Sequence, residues 1–354
     1  MKNFRHWFSV FPVLLAAFLL LAVCILLSGC YTLKQGVTML GYLNRAVPLE
    51  RLDDEEFVQL VMDIRKFARD DLGLAMSRNY TRIVELDRDF LAAVVSASEQ
   101  DSFRRHYWNF PVVGRMPYKG FFNVQDARRE RTRLERRDLD VWIRGVDAFS
   151  TLGWFRDPLY SFMRYYSPDR LAELIIHEQV HATVWIRGQV QFNEELATFI
   201  GEEGARLFME KRFGKDSEEY RQMLVSAEDS RNFVAFIQEL IAELEILFAS
   251  GLDREQILIE RQQIISAFKD RFDAEYENRF SGDRFRGFLD LPVNNAYLDL
   301  FRLYHTPDTF YQDLFEMSGR DLPAFIQAAK TITRRGGNPQ VQLENALLGN
   351  SGYR

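Results

Sequence analysis

Hydrophobic positions return along this chain at two spacings, and each spacing places elements. Between Leu49 and Leu74, the apolar residues Leu52, Phe57, Leu60, Val61, Ile64 and Phe67 recur at helical spacing among charges. That pattern predicts an amphipathic helix lying on a core. Leu139-Asp140-Val141-Trp142-Ile143 alternates instead, as a half-buried strand does. The stretch Tyr80–Ser98 is β-like around Phe90, Val94 and Val95, and Phe110–Phe122 is punctuated by Pro and Gly into short strands and loops. Asn123–Arg137 is so charged that it reads as a helix with a solvated face. The second half is helical throughout. Ser167 to Arg187 predicts one helix, and Glu218–Ser250 and Asp253–Phe280 predict two long ones broken at Gly251. Asn294 and Asn295 are placed to cap a helix that holds Tyr297 and Tyr304, and two more fall near Thr309–Met317 and Leu322–Ile332. The expected class is α+β, mainly helical, with a small β-sheet ahead of the Ser167 helix.

The N-terminus departs from this pattern. Lys2 and Arg5 precede an almost unbroken apolar run from Phe11 to Leu27, which ends in Leu-Ser-Gly-Cys. Small residues before a cysteine read as a lipobox, with cleavage before Cys30 and lipid on its thiol. Residues 1–29 are then a lipoprotein signal peptide, and the membrane is a partner through Cys30. Cys24 lies inside the apolar run, so the mature chain keeps a single cysteine and no internal disulfide. Residues 30–48 read as a lipidated tether, with an entry helix within 31–50, 49–335 as the folded domain, and 336–354 as a loose tail beginning at Gly336-Gly337-Asn338-Pro339. The composition is globular at 47% hydrophobic, and a formal charge of −6 with no basic cluster excludes nucleic acid as the main partner. The oligomeric state is not legible.

Chemistry concentrates in the Ser167 helix. It carries His177-Glu178-Gln179-Val180-His181, an H-E-x-x-H motif. At i and i+4, two imidazoles project from one helix face and can grip one metal ion. Glu178 is then placed as the base for a metal-activated water. Zinc suits such ligands, and a catalytic site takes a third protein ligand while leaving one position open. Ser167 at the N-cap, Pro168 at the first helical position and Asp169 in the first turn support the helix start; Arg187 and Gly188 suggest its stop. Asn193 then reads as the N-cap of a returning helix that opens with Glu194 and Glu195. Glu194 is the preferred third ligand, with Glu195 and Glu202 as alternatives. A helix running to Arg187 puts about 9 Å of rise beyond His181, which is far for Glu194.

H-E-x-x-H followed by Asn193-Glu194 and Ala197 resembles the gluzincin metallopeptidases. More narrowly, the chain resembles the predicted-aminopeptidase lipoproteins of Gram-negative bacteria. The matching pieces are Leu27-Ser28-Gly29-Cys30, Phe110-Pro111-Val112-Val113-Gly114 with Tyr118-Lys119-Gly120-Phe121-Phe122, Ser150 through Pro158, Phe192-Asn193-Glu194 and Asn294-Asn295-Ala296. The resemblance implies a zincin-like zinc peptidase with one ion, His177, His181 and Glu194 as ligands, and Glu178 as catalytic base. It implies a peptide substrate and an aminopeptidase label, with endopeptidase action still open. It also implies a lipid-anchored place in the envelope; Tyr31 after the cysteine resembles proteins sent to the outer membrane, facing the periplasm. For the oxyanion donor the candidates are Tyr304, Tyr297 and His305. Ala148, Phe149 and Ser150 are expected on a strand that pairs with substrate backbone. A competing reading is a non-catalytic envelope lipoprotein whose metal site is structural and whose surface recruits a partner.

Overall fold

The protein is described by a computed structural model covering residues 31, 34–110, 114–147, 156–302, 309–332 and 337–349. It is a mainly helical α+β fold. A helix, α1, runs over 34–45. It is followed by β1 (Val47–Pro48) and α2 (Glu55–Asp70). Strands β2 (Arg82–Val84), β3 (Ala92–Glu99), β4 (Trp108–Phe110), β5 (Gly114–Met116) and β6 (Tyr118–Phe121) come next. Helix α3 (Val124–Glu135) leads to β7 (Leu139–Val146) and β8 (Leu159–Tyr160). From there the described chain is helical, with α4 (Pro168–Thr183), α5 (Val190–Phe213), α6 (Glu218–Phe248), α7 (Arg254–Arg279), α8 (Asn295–Arg302), α9 (Phe310–Met317), α10 (Leu322–Ile332) and α11 (Pro339–Leu348).

Besides the two-stranded β4-β5 ribbon, two small sheets brace the helices. One is antiparallel in the order β6-β3-β7, with β3 and β7 registered from Ala92 opposite Val146 to Glu99 opposite Leu139. Alternation along β3 turns Ala93, Val95 and Ala97 to one face, where Ala127 and Leu134 of α3 close over them. The charged α3 therefore buries one stripe and wets the rest. The other sheet, β1-β2-β8, pairs β2 and β8 in parallel, which lays Leu159 and Tyr160 beside Ile83 and Val84.

Apart from α3, which packs on that antiparallel sheet, the helices divide between two apolar clusters. The larger is shared by α2, α4, α5, α9, α10 and α11, around fully buried Ile64, Ile175, Ile176, Leu196, Phe315 and Phe325. The second is the hairpin of α6 and α7, where Phe236, Phe268, Phe272 and Tyr276 interlock under α8. The expected long helices thus pack on one another and on α8, with Gly251 at φ +77° in the break. Many of the abundant phenylalanines serve this cluster.

Asn294 and Asn295 do more than cap. Asn294 Oδ1 accepts from Tyr297 N at 2.9 Å, as a cap should. Asn295 is fully buried, and its amide donates to the carbonyls of Glu99, Gln100 and Ser102 at 3.0, 3.0 and 3.2 Å. Asp140 accepts from Asn295 N and from Arg261, so α8 is clipped to the end of the sheet.

Two expectations at the ends change. The stretch expected to be a tether with an entry helix carries a helix, α1, and is packed on the fold over 34–48: Tyr42 and Ala46 are buried and β1 pairs with β2. The stretch taken for a loose tail carries α11. Asn338 caps it by accepting from Gln340 N, Pro339 takes the first helical position, and Leu343 and Leu347 enter the larger cluster. The signal segment and Cys30 lie outside the described residues. Among the described residues, no helix is long and apolar enough to cross a membrane.

Candidate metal centre

Helix α4 is built from a run that is apolar on its inner side. Leu171, Ala172, Ile175, Ile176 and Val180 are buried in the larger cluster. Ser167 holds the N-cap position, yet its side chain makes no capping bond, and Pro168 follows it. The helix stops at Thr183, one turn short of the Arg187 end suggested by Gly188. Local chemistry explains the stop. Thr183 and Val184 are β-branched, and Thr183 Oγ1 turns back to donate to Gln179 O at 2.7 Å. Val184 is extended, at ψ 112°.

The return is equally short. Helix α5 begins at Val190, and its N-cap is Gln189. Asn193 is therefore not the cap expected of it. It sits in the first turn, 1% exposed, and clasps the loop from inside. Its Oδ1 accepts from Ile186 N and its Nδ2 donates to Ile186 O, each at 2.9 Å. The clasp uses up the backbone groups that would have extended α4. It also fixes the residue that follows, Glu194, against the two histidines.

The early stop removes the distance problem. His177 Nε2 and His181 Nε2 lie 3.2 Å apart. Glu194 places Oε2 at 3.5 Å from the first and Oε1 at 3.5 Å from the second. A tetrahedral zinc with ~2.0–2.1 Å bonds sets neighbouring ligand atoms ~3.3 Å apart. The edge between the histidines fits that spacing, and Glu194 turns one oxygen to each of them, with the three ligand atoms within 4.8 Å of one another, so His177, His181 and Glu194 form a cluster able to hold a metal ion. Polarity fits as well. The ion would lie by the last turn of α4, where the helix dipole favours a cation, and Glu194 lies near the start of α5, where it favours an anion. The side chains are 4%, 22% and 52% exposed for His181, His177 and Glu194, so the site has a closed floor and an open rim.

Close helix packing holds the geometry. A Cβ on Gly201 would meet Glu173 O and His177 Cβ at 3.2 Å, and one on Gly204 would meet Ile176 at 3.1 Å. Only glycine lets α5 press so closely on the metal-bearing face of α4. Trp185 packs edge-on against His181 with ring centroids 5.4 Å apart. Glu178 is buried beside His177 at 8% exposure.

Charge follows from these contacts. Hydrogen bonds from His177 and then His181 draw the Glu194 carboxyl down to about 2. Glu202 moves the other way. Crowding out of water, then the charges of Glu173 and Glu203, push it up to about 7, with Arg231 and His177 opposing. Loss of water likewise raises the Glu173 carboxyl. Glu195 is engaged elsewhere, accepting from Gln191 at 2.7 Å and from the Tyr311 hydroxyl at 3.4 Å. Of the three carboxylates considered for the third ligand position, Glu194 is the one that joins the histidines.

A comparison with protein-family models matches residues 31–342 to the family described as "Putative aminopeptidase". The chain belongs to that family. The match supports a peptidase role for this member of the putative aminopeptidase family. No curated protein and no solved structure matches the chain.

Several residues singled out from the sequence lie apart from the cluster. Tyr297 is in the second apolar cluster, edge-on to Trp142 at 4.7 Å. Ala148, Phe149, Ser150, Tyr304 and His305 lie outside the described residues. The strand β7, which ends just before Ala148 in sequence, is one of the two edge strands of its sheet. Two neighbours of the centre were not anticipated. Glu173, one turn before His177, and Trp185, four residues after His181, were both legible from the same spacing.

Proposed function

We propose that this protein is a zinc-dependent peptidase of the cell envelope, with Glu178 as its proton carrier. One observation carries the reading: His177, His181 and Glu194 gather their ligand atoms within 4.8 Å of one another at an open rim, in a chain of the putative aminopeptidase family. The donor set of two imidazoles and one carboxylate is that of catalytic zinc, where one position stays free for chemistry. A closed structural site would have four protein ligands and no use for Glu178. When bound, zinc supplies Lewis acidity, bringing a water's pKa toward neutrality and polarising a carbonyl.

The chain's own residues do the rest. Glu178 takes the proton of the water that attacks the scissile carbonyl and delivers it to the leaving amine as the C–N bond breaks. The developing oxyanion needs a donor besides the metal, and Tyr304 is the proposed one. An extended substrate would add to the edge that β7 begins, through Ala148, Phe149 and Ser150. Glu173 and Glu202 set two carboxyl groups near His177, and a substrate's free ammonium would draw them into their ionised form, which supports cleavage from the N-terminus.

Anchoring is part of the proposal. The Phe11–Leu27 run and Leu-Ser-Gly-Cys support a lipid on Cys30, and with it a place at the outer membrane of a Gram-negative cell, facing the periplasm.

The test is Glu178→Gln assayed on peptide libraries with free and acetylated N-termini. The variant should keep its metal and lose turnover by about 10²–10⁴-fold. Wild-type turnover in a metal-loaded Glu178→Gln protein would sink the reading.

A further inference from the structure

Tyr31, the residue after the proposed anchor at Cys30, is fixed to the body of the protein. Its ring packs against Phe110 and Phe121 with centroids 5.7 and 5.4 Å away, and its hydroxyl donates to Gly120 O. Lys119 Nζ lies 4.8 Å from the centre of the same ring. Lys119 and Phe121 stand opposite Val95 and Ala93, on the face of the sheet that α3 covers, and Lys119 Nζ is 3.7 Å from Glu130 of α3. Lys34 pairs with Asp126 in the first turn of α3, and Gln35 Oε1 accepts from Phe122 N at 2.9 Å. Consecutive Cα atoms are about 3.8 Å apart, so residue 30 lies at the sheet edge beside α3 with no slack. A lipid on Cys30, or the Phe11–Leu27 run kept in the membrane, would hold this side of the protein against the headgroups.

That side is where positive charge gathers. Between Arg128 and Arg137, α3 and the turn after it carry six arginines and two glutamates, in a chain of net charge −6. In the sequence the glutamates break up the positive run, but the fold occupies both. Glu130 is buried and accepts from Trp108 Nε1 at 2.7 Å and from Arg133 at 2.6 Å. Glu135 accepts from Arg131 at 2.6 Å. Ala127, Glu130 and Leu134 form the inward stripe, so the helix repeat turns Arg128, Arg129 and Thr132 outward, with Arg136 exposed at the C-cap. Arg129 shares Asp126 with Lys34. Among the described residues, no carboxylate pairs with Arg128, Arg136 or Arg137. No aromatic residue lies between these arginines, so a nucleic-acid strand would find no ring to stack on. Guanidinium forks on a helix face suit phosphate, and anionic lipid surfaces attract such segments where they lie close to the membrane. Helix α1, next along from Tyr31, adds exposed Val37 and Leu40, three residues apart on one face.

We propose that the arginine face of α3 docks on anionic phospholipid headgroups of the leaflet that the anchor enters, so that the protein lies on its membrane in one orientation. This rests on the proposed anchoring and goes beyond it, since an anchor alone sets no orientation. The two attachments reinforce each other. With residue 30 held at the surface, contact between α3 and the headgroups becomes an intramolecular event, and weak ionic contacts then suffice.

The test is arginine labelling with phenylglyoxal, located residue by residue by mass spectrometry. It uses the full-length wild-type protein in vesicles of phosphatidylcholine, alone or with added phosphatidylglycerol. At low salt, Arg128, Arg129 and Arg136 should react about threefold or more slowly on the anionic vesicles than on the neutral ones. The difference should fade in molar salt, where the screening length falls to about 3 Å. Arg221, exposed on α6, is the reference and should react equally on both. Protein that floats with the vesicles while its α3 arginines react alike on both kinds would overturn the docking and leave the anchor standing. Equal slowing of Arg221 would overturn it as well, by showing general adsorption. Vesicles that float without protein would sink the anchor and the docking together.

Discussion

Replacing Asn193 by Ala should loosen the metal without touching a ligand. The side chain makes two hydrogen bonds to Ile186, donating one and accepting one, at 2.9 Å each. Each contributes about 0.5–1.5 kcal/mol net, so the pair holds about 1–3 kcal/mol. Ile186 is only half-buried, and its freed groups can rehydrate, which favours the lower half of that range. The loop between α4 and α5 then loses the contact that fixes its length, and Glu194, the next residue, loses its footing. Outer contacts that orient a metal ligand typically contribute 10–100-fold in affinity, and about 10–100-fold weaker zinc binding is expected here. Competition against a chromophoric chelator measures this directly, beside a melting curve expected to fall by about 2–5 °C. Asn193→Asp is the sharper companion, because it keeps the acceptor for Ile186 N but sets a carboxylate against Ile186 O. Gln191→Ala, which removes only an exposed bond to Glu195, serves as the control. A destabilised Asn193→Ala protein that binds zinc with wild-type affinity would refute the link from clasp to ligand.

Three other outcomes are expected. Gly201→Ala should destabilise by about 1–2 kcal/mol and speed zinc release, because the new Cβ meets Glu173 O and His177 Cβ at 3.2 Å; a raised melting temperature would contradict this. Glu202→Gln should stabilise the metal-free protein at pH 8 and do nothing at pH 4. The folded carboxyl sits at about 7, above its ordinary value, so the penalty for ionising it is absent in acid, grows as pH rises through that window and is complete above it. Solvent screening at this partly exposed group limits the gain to about 1 kcal/mol, and equal melting shifts at the two pH values would count against it. Asn295→Ala should cost about 2–4 kcal/mol by stripping the donor from the Glu99, Gln100 and Ser102 carbonyls, yet leave zinc affinity unchanged. Weakened zinc binding there would show that the two apolar clusters are coupled.

What could be read from the sequence was what local spacing dictates. His177 and His181 share a face because the helix repeat puts them there, and that holds whatever surrounds them. The long helices α6 and α7 were legible because their apolar positions repeat over many turns. Glu194 was found for a mistaken reason. Asn193 looks like a cap, and only the folded loop reveals it as a clasp on Ile186. The end of α4 was misplaced because Gly188 is a louder stop signal than Thr183 turning back on its own helix. Helix α11 was overlooked although Asn338-Pro339 is a good helix start, since two glycines before it suggested a tail. The bond from Tyr80 N to Asp157 O left no trace in the spacing, because the two residues are 77 apart and come together where β2 and β8 pair in parallel.

The most direct test is the metal content of the purified, zinc-supplemented protein beside His177→Ala. One zinc per chain in the wild type, lost in a variant that still folds, is the expected result. A folded wild-type protein that takes up no metal would contradict the centre formed by His177, His181 and Glu194, and the hydrolytic reading with it.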